Sequence, residues 1–229
     1  MKHVGIAAVT AEGAALCYRT ICSEASRRLG AHLHPEITMH THSFSEIVTA
    51  QRAEDWGKVA DLLLASLQKL KKAGADFAII PANSVHFTFD AVKKSSPLPL
   101  LSIVETAADV AKKRGYGHVL TLGVGITMAR GLFTEALQAR GIRSTVPDAD
   151  EQERMNAIIY DQIVPTGSAD ASSVAFLRGV VAKYKDEGCN AVLLGCTELP
   201  LVLTKETSPL PTVDTTVELA LAAVDRALA

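Results

Sequence analysis

The chain has 229 residues, 48% of them hydrophobic, 21% charged and 5% aromatic, with a formal net charge of −2. That apolar content fits a packed globule and excludes a disordered tail. A near-neutral balance without a basic block argues against nucleic acid or an anionic membrane as a partner.

No apolar stretch approaches the roughly 20 residues of a membrane span. Met1-Lys2-His3 leads straight into the apolar run Val4–Ala8, which is too short for an export signal. The four cysteines, Cys17, Cys22, Cys189 and Cys196, lack the paired spacing of a zinc site. A cytoplasmic protein with reduced thiols is expected.

In chain order, Val4–Ala8 reads as a strand and 14–29 as a helix. A second strand is expected over 36–42. A long helix follows over 53–72, with Trp56, Val59, Ala60, Leu63, Leu64, Leu67 and Leu70 on one apolar stripe and Gly74 as its stop. Phe77-Ala78-Ile79-Ile80-Pro81 reads as a fully apolar strand. Helix is expected over 102–113, strand over 118–122, and helix over 127–138, 150–164 and 170–187. Ala191-Val192-Leu193-Leu194 is another apolar strand, and 214–228 a last helix capped by Asp214 or Thr215. Alternating βα units with strands apolar on both faces imply an α/β fold of parallel sheets flanked by helices. Two pseudo-symmetric lobes are expected: 1–97 together with 212–229, and 98–211. The segments 94–99 and 208–211 serve as crossovers.

Two stretches share one layout, "AGADFAIIPANSVHF" at 73–87 and "EGCNAVLLGCTELPL" at 187–201. Each runs from a helix-stopping glycine through an apolar strand to a small polar triplet. The strands superpose Ala82-Asn83-Ser84 on Cys196-Thr197-Glu198. A weaker repeat links "SSPLPLLSIVETA" at 95–107 with "TSPLPTVDTTVEL" at 207–219. Ligands of open α/β sheets bind beyond the carboxyl ends of strands, so the active site is expected in a cleft between the lobes. Backbone N–H groups at the following helix starts could hold an anion there. A cysteine in that position has a route to a thiolate through the helix dipole and nearby donors. Cys196 is the candidate nucleophile or proton carrier, and the other three cysteines read as structural.

These motifs resemble the aspartate/glutamate racemase family of cofactor-independent amino-acid racemases. "LLGCTELPLVL" at 193–203 is similar to the family's second cysteine motif and "PANSVHF" at 81–87 to its first. "LGVGITMARGLF" at 122–133, "VDTTVELALAAV" at 213–224 and "SFSEIVTAQRAEDW" at 43–56 resemble further family segments. The resemblance implies proton exchange at the α-carbon of an amino acid between two cysteines, without pyridoxal phosphate or metal. It also implies a homodimer acting on a small acid or amino acid, with no cofactor.

The sequence departs from the family at Ala82, which stands where the racemases carry their first cysteine. Ser84, Val124, Gly125, Pro165-Thr166 and Leu219 depart as well, which favours natural divergence over a Cys→Ala variant. A one-thiol decarboxylase or isomerase, as in the arylmalonate decarboxylases, and a non-catalytic small-acid binder are the alternatives.

Around catalytic Cys196, the candidate substrate-binding residues are Thr10, Gln51, Arg52, Asn83, Ser84, Thr127, Thr197 and Glu198. Asn83 and Ser84 bind a carboxylate or cap a helix; Thr127 caps its helix or binds a carboxylate. Gln51 and Arg52 follow a loop after the second strand, Arg52 being suited to bidentate carboxylate binding or simply solvated. Thr10 and Glu12 follow the first strand, and Glu12 also suits a helix's first turn. Glu198 orients Thr197 or an ammonium group, or caps. Ala82 and His86 support the first tip, with His86 a proton shuttle as the alternative. His32, His34, His40 and His42 lack a carboxylate or cysteine at ligand spacing, so no metal site is expected.

Overall fold

The computed structural model describes residues 1–229. The chain runs β1 (Val4–Ala8), α1 (Ala11–Leu29), β2 (Ile37–Thr41), α2 (Phe44–Arg52), α3 (Trp56–Lys72), β3 (Phe77–Ile79), α4 (Phe89–Ser95), β4 (Leu100–Leu101) and α5 (Ile103–Lys113). It continues through β5 (His118–Gly123), α6 (Gly125–Ala129), α7 (Thr134–Gln138), β6 (Arg143–Thr145), α8 (Ala149–Ile158), α9 (Val164–Thr166), α10 (Ala171–Asp186), β7 (Ala191–Gly195), β8 (Thr212–Asp214) and α11 (Thr215–Leu228). Two compact units result, Met1–Thr106 with Thr216–Ala229, and Ala107–Thr215. No helix is long and apolar enough to cross a membrane.

The first unit carries a four-stranded parallel sheet in the order β2-β1-β3-β4. Every residue of β1 and β3 is buried, as central strands covered on both faces require. β2 lies at the edge and carries polar Thr38, His40 and Thr41, which blunts an exposed edge. α3 buries Val59, Leu62, Leu63, Leu67 and Leu70 against one side of this sheet. α1 and α11 contribute Cys17, Ile21, Leu219, Ala223 and Val224 to a second cluster with Ile6 and Ile79.

The second unit repeats the plan, with the order β6-β5-β7-β8, all parallel. Its core packs Leu120, Leu122, Val192 and Leu194 of the sheet against Met155 and Ile158 of α8 and Leu177 and Val181 of α10.

Strand pairing turns the sequence repeat into a structural one. Val4 pairs with Phe77 and Val119 with Ala191, so the same register maps Ala82 onto Cys196. Ala78 pairs with Leu100 and Val192 with Thr212, which validates the weaker repeat. Ser96 Oγ donates to Leu98 O at 2.7 Å, and Ser208 Oγ donates to Leu210 O at the same 2.7 Å. His3 and His118, each just before or at the start of its strand, bond Thr38 at 2.9 Å and Thr145 at 2.7 Å.

Several expected elements differ. The boundaries expected at 97/98 and 211/212 fall at 106/107 and 215/216, because β4 pairs with β3 and β8 with β7. The helix expected over 127–138 is two short helices, broken where Gly131 adopts φ +60. The helix expected over 150–164 passes into a π turn at Ile159–Ile163. Residues 44–52 form the separate helix α2, so Gln51 and Arg52 end a helix rather than follow a strand loop.

Candidate active site

In each sheet the chain order reverses between the central strands, β1 and β3 in one and β5 and β7 in the other. Ligands of doubly wound sheets bind beyond the carboxyl ends at such reversals. Ala82-Asn83-Ser84 leaves β3 at the first of these points and Cys196-Thr197-Glu198 leaves β7 at the second.

At the first tip the chain turns into a 3-10 segment, Ser84–Thr88, before α4. Ala82 and Asn83 are buried and Ser84 is half-buried. Asn83 precedes the 3-10 segment without a side-chain cap bond, so capping is not its role there. Gln51 Nε2 donates to Ser84 Oγ at 2.9 Å, joining two of the expected residues. Arg52, by contrast, is exposed in the last turn of α2. Thr10 accepts from the Gly13 N–H at 3.2 Å and caps α1, with Glu12 in that helix's first turn.

His86 is fixed from both sides. Its Nδ1 lies 2.8 Å from Ala82 O, and its Nε2 accepts from the Ile103 N–H at 3.3 Å. The two bonds require an Nδ1–H tautomer. The ring stacks on Phe89 at 4.9 Å. Burial pushes its pKa down to about 4, against which the bond to Ala82 O acts weakly. A neutral imidazole with both nitrogens engaged supports the loop; the proton-shuttle reading is corrected.

At the second tip, Cys196, Thr197 and Glu198 are all buried. Cys196 Sγ donates to Glu198 Oε2 at 3.2 Å, and Thr197 Oγ1 donates to the same oxygen at 2.5 Å. One carboxylate oxygen thus collects both side chains. Burial pushes the thiol pKa well above its ordinary value and the Glu198 charge adds to this. The backbone N–H groups of Glu198 and Leu199 act the other way, towards the thiolate. Only a three-residue 3-10 turn, Leu199–Leu201, follows Cys196. The expected dipole activation is therefore corrected: the sulfur rests as a thiol, poised by two N–H groups and one carboxylate.

Behind this tip the two strands approach with no room for a side chain. Gly123 and Gly195 are register partners, and a Cβ on either would lie 2.9 Å from a backbone oxygen of the other strand. Thr127 fills the remaining space with its methyl group. It sits inside α6, whose N-cap is Val124, so Thr127 caps nothing. Its hydroxyl is buried with no hydrogen-bond partner. Asn156 on α8 was not singled out by sequence; its Oδ1 accepts from the Gly125 N–H at 2.8 Å and anchors the loop after β5. No local motif marks it. Thr215 Oγ1 donates to Leu194 O at 3.0 Å, tying β7 to the start of α11.

Cys17, Cys189 and His40 have structural partners. Cys17 Sγ donates to Thr216 O at 3.5 Å. Cys189 contacts His118 Nε2 at 3.4 Å, and burial pushes its thiol up to about 11. The His40 ring nitrogens meet Ser66 Oγ and Lys69 Nζ, each at 2.9 Å.

Two parallel α/β units, one with a thiol at the reversal of its sheet, define a cysteine-centred α/β protein. The Asp/Glu/hydantoin racemase family model matches residues 6–223, and the chain belongs to that family. The broad specificity amino-acid racemase RacX of Bacillus subtilis is 24% identical over 185 residues, 79% of this chain and 77% of that protein. A Yersinia pestis protein described as an Asp/Glu racemase candidate superposes with a TM-score of 0.92 at 31% identity, covering 100% of both chains. PH1733, an aspartate racemase homologue from Pyrococcus horikoshii, gives 0.86 at 26% identity, again over 100% of both.

Proposed function

We propose that this chain is a cofactor-independent enzyme that moves the α-proton of a small amino acid or related acid, with Cys196 as its catalytic thiol. The observation that carries the reading is the buried Cys196–Glu198 contact at the β7 tip, 3.2 Å from sulfur to oxygen. Transfer of the thiol proton to the Glu198 carboxylate leaves a thiolate beside the Glu198 and Leu199 N–H groups, which favour it. That thiolate is the base for a Cα–H bond. Family membership and the Bacillus subtilis relative support racemase-type chemistry.

Asn83, Ser84 and Gln51 supply uncharged hydrogen-bonding groups suited to a carboxylate. Thr197 is held by Glu198, and the Thr127 hydroxyl is a further candidate contact. Arg52, exposed at the end of α2, carries no such argument.

The test is deuterium uptake at Cα in heavy water, followed by proton NMR over a panel of amino acids. Uptake is expected with wild type and a loss of at least about a thousand-fold with Cys196→Ala. A residual rate close to wild type in that variant removes the reading. Ala82, which offers no second thiol, favours one further reaction: loss of carbon dioxide from a malonate-like acid, with Cys196 protonating the resulting enediolate. Release of carbon dioxide from such an acid would identify it.

A further inference from the structure

A racemase that works through two proton carriers needs two groups that can gain or lose a proton near neutral pH. The second tip has one, the Cys196 thiol with Glu198 against it. The first tip is built otherwise. Ala82 carries no proton-transfer group, and Asn83, Ser84 and the Gln51 bonded to it do not titrate in that range. The titratable side chain within that loop, His86, spends its Nδ1–H on Ala82 O and its Nε2 on the Ile103 N–H. It is buried and stacked on Phe89, so neither nitrogen is left to deliver a proton.

We infer that the chain removes and returns the substrate proton through Cys196 alone, on a single face of the α-carbon, so that hydrogen exchange proceeds with retention and outruns racemisation. The inference rests on the α-proton chemistry proposed above.

The steps balance. The Cys196 S–H proton passes to Glu198, giving a thiolate and a carboxylic acid. The thiolate takes the α-proton, and the C–H electron pair stays on the substrate as an enediolate. The new S–H exchanges its proton with Glu198 and, through it, with solvent. The sulfur then gives a solvent-derived hydron back to the same carbon face, and the thiolate recovers its proton from Glu198. Substrate returns with its configuration kept and its α-hydrogen replaced.

The experiment uses the full chain in heavy water with each enantiomer of aspartate, glutamate and a panel of neutral amino acids. Proton NMR follows loss of the α-signal and chiral chromatography follows optical purity. For a reactive amino acid, one enantiomer is expected to exchange at least about ten times faster than it racemises. Ala82→Cys, checked for folding by its melting temperature, is expected to bring the two rates together by restoring a second thiol. Racemisation that keeps pace with deuterium uptake in the wild-type chain overturns the one-face inference and leaves the α-proton chemistry standing. Absence of uptake with every amino acid overturns both.

Discussion

Gly195→Ala puts the closeness of β5 and β7 to a direct test. An ideal Cβ there would lie 2.9 Å from Leu122 O, 3.0 Å from Phe133 Cε2 and 3.4 Å from Thr127 Cγ2. The first of these is backbone of the neighbouring strand, and Phe133 is fully buried, so neither can swing away. Overpacking of this kind costs about 1–3 kcal/mol, and a fixed carbonyl places the substitution near about 2–3 kcal/mol on that scale. For a chain of this size that corresponds to a fall in Tm of roughly 5–10 °C. The control is Gly179→Ala on α10, where nothing lies within 4 Å of the added methyl. The same substitution there gains about 0.5–1 kcal/mol, since alanine is the better helix former. Thermal and urea melts of both variants should therefore move in opposite directions. Because Gly195 precedes Cys196, deuterium exchange should fall in the first variant and hold in the second. A Gly195→Ala protein that melts at or above wild type refutes the close-packing account.

Three further outcomes are expected. His86 is held near a pKa of about 4 by burial, against 6.5 for the free side chain. The unfolded chain therefore takes the proton first, and the stability is complete above 6.5 and lost as pH falls through about 4. The full span is about 3–4 kcal/mol, from roughly 2.5 pH units at about 1.4 kcal/mol each. His86→Gln should flatten the urea midpoint between pH 6.5 and 4, and a profile parallel to wild type would contradict this.

Glu198→Gln removes a charge that raises the Cys196 pKa. Alkylation of Cys196 by iodoacetamide should shift to lower pH while Cα exchange falls at least about a hundred-fold; alkylation and exchange declining together would mean a collapsed loop instead. Thr127→Val deletes a buried hydroxyl without a partner. Stability should stay within about 0.5 kcal/mol or rise, with KM for exchange increased several-fold. A loss above about 1 kcal/mol would show that the hydroxyl holds the fold.

Strong one-sided patterns were legible before any coordinates. β1, α3 and β7 follow from unbroken apolar runs or a clear stripe, and their ends fall within a few residues of expectation. β4, β6 and β8 have two or three residues each, too few for a period; pairing with a longer neighbour makes them strands. α2 was missed because its Ile47, Val48 and Thr49 are β-branched and blur the helical signal. The break between α6 and α7 needs the left-handed Gly131, which sequence presents as one more glycine.

At the site, residue types were readable and states were not. The triplet at 196–198 stands out in the chain, yet the protonation of Cys196 depends on burial and on which way Glu198 turns. His86 likewise reads as loop support or as a shuttle until its two partners, Ala82 and Ile103, are known.

The two units keep what positions a tip and differ in what a tip does. Each closes the start of its central strand with a His–Thr bond. Each sets its last strand through the same Ser-Pro-Leu-Pro turn, where Pro99 O accepts from Ala78 N–H and Pro211 O from Val192 N–H, both at 2.9 Å. These bonds lie in strand starts and turns, so residues beyond the carboxyl ends are free to vary without cost to the sheet. That separation explains how Ala82 can stand where its counterpart is Cys196 while both sheets keep one register. Proton-transfer groups gather at one tip, and the other keeps hydrogen-bonding side chains on a loop clamped by a neutral histidine. Substitutions at 51, 83 and 84 and at 196 and 198 therefore change different things, the hydrogen-bonding groups of one unit and the thiol–carboxylate pair of the other.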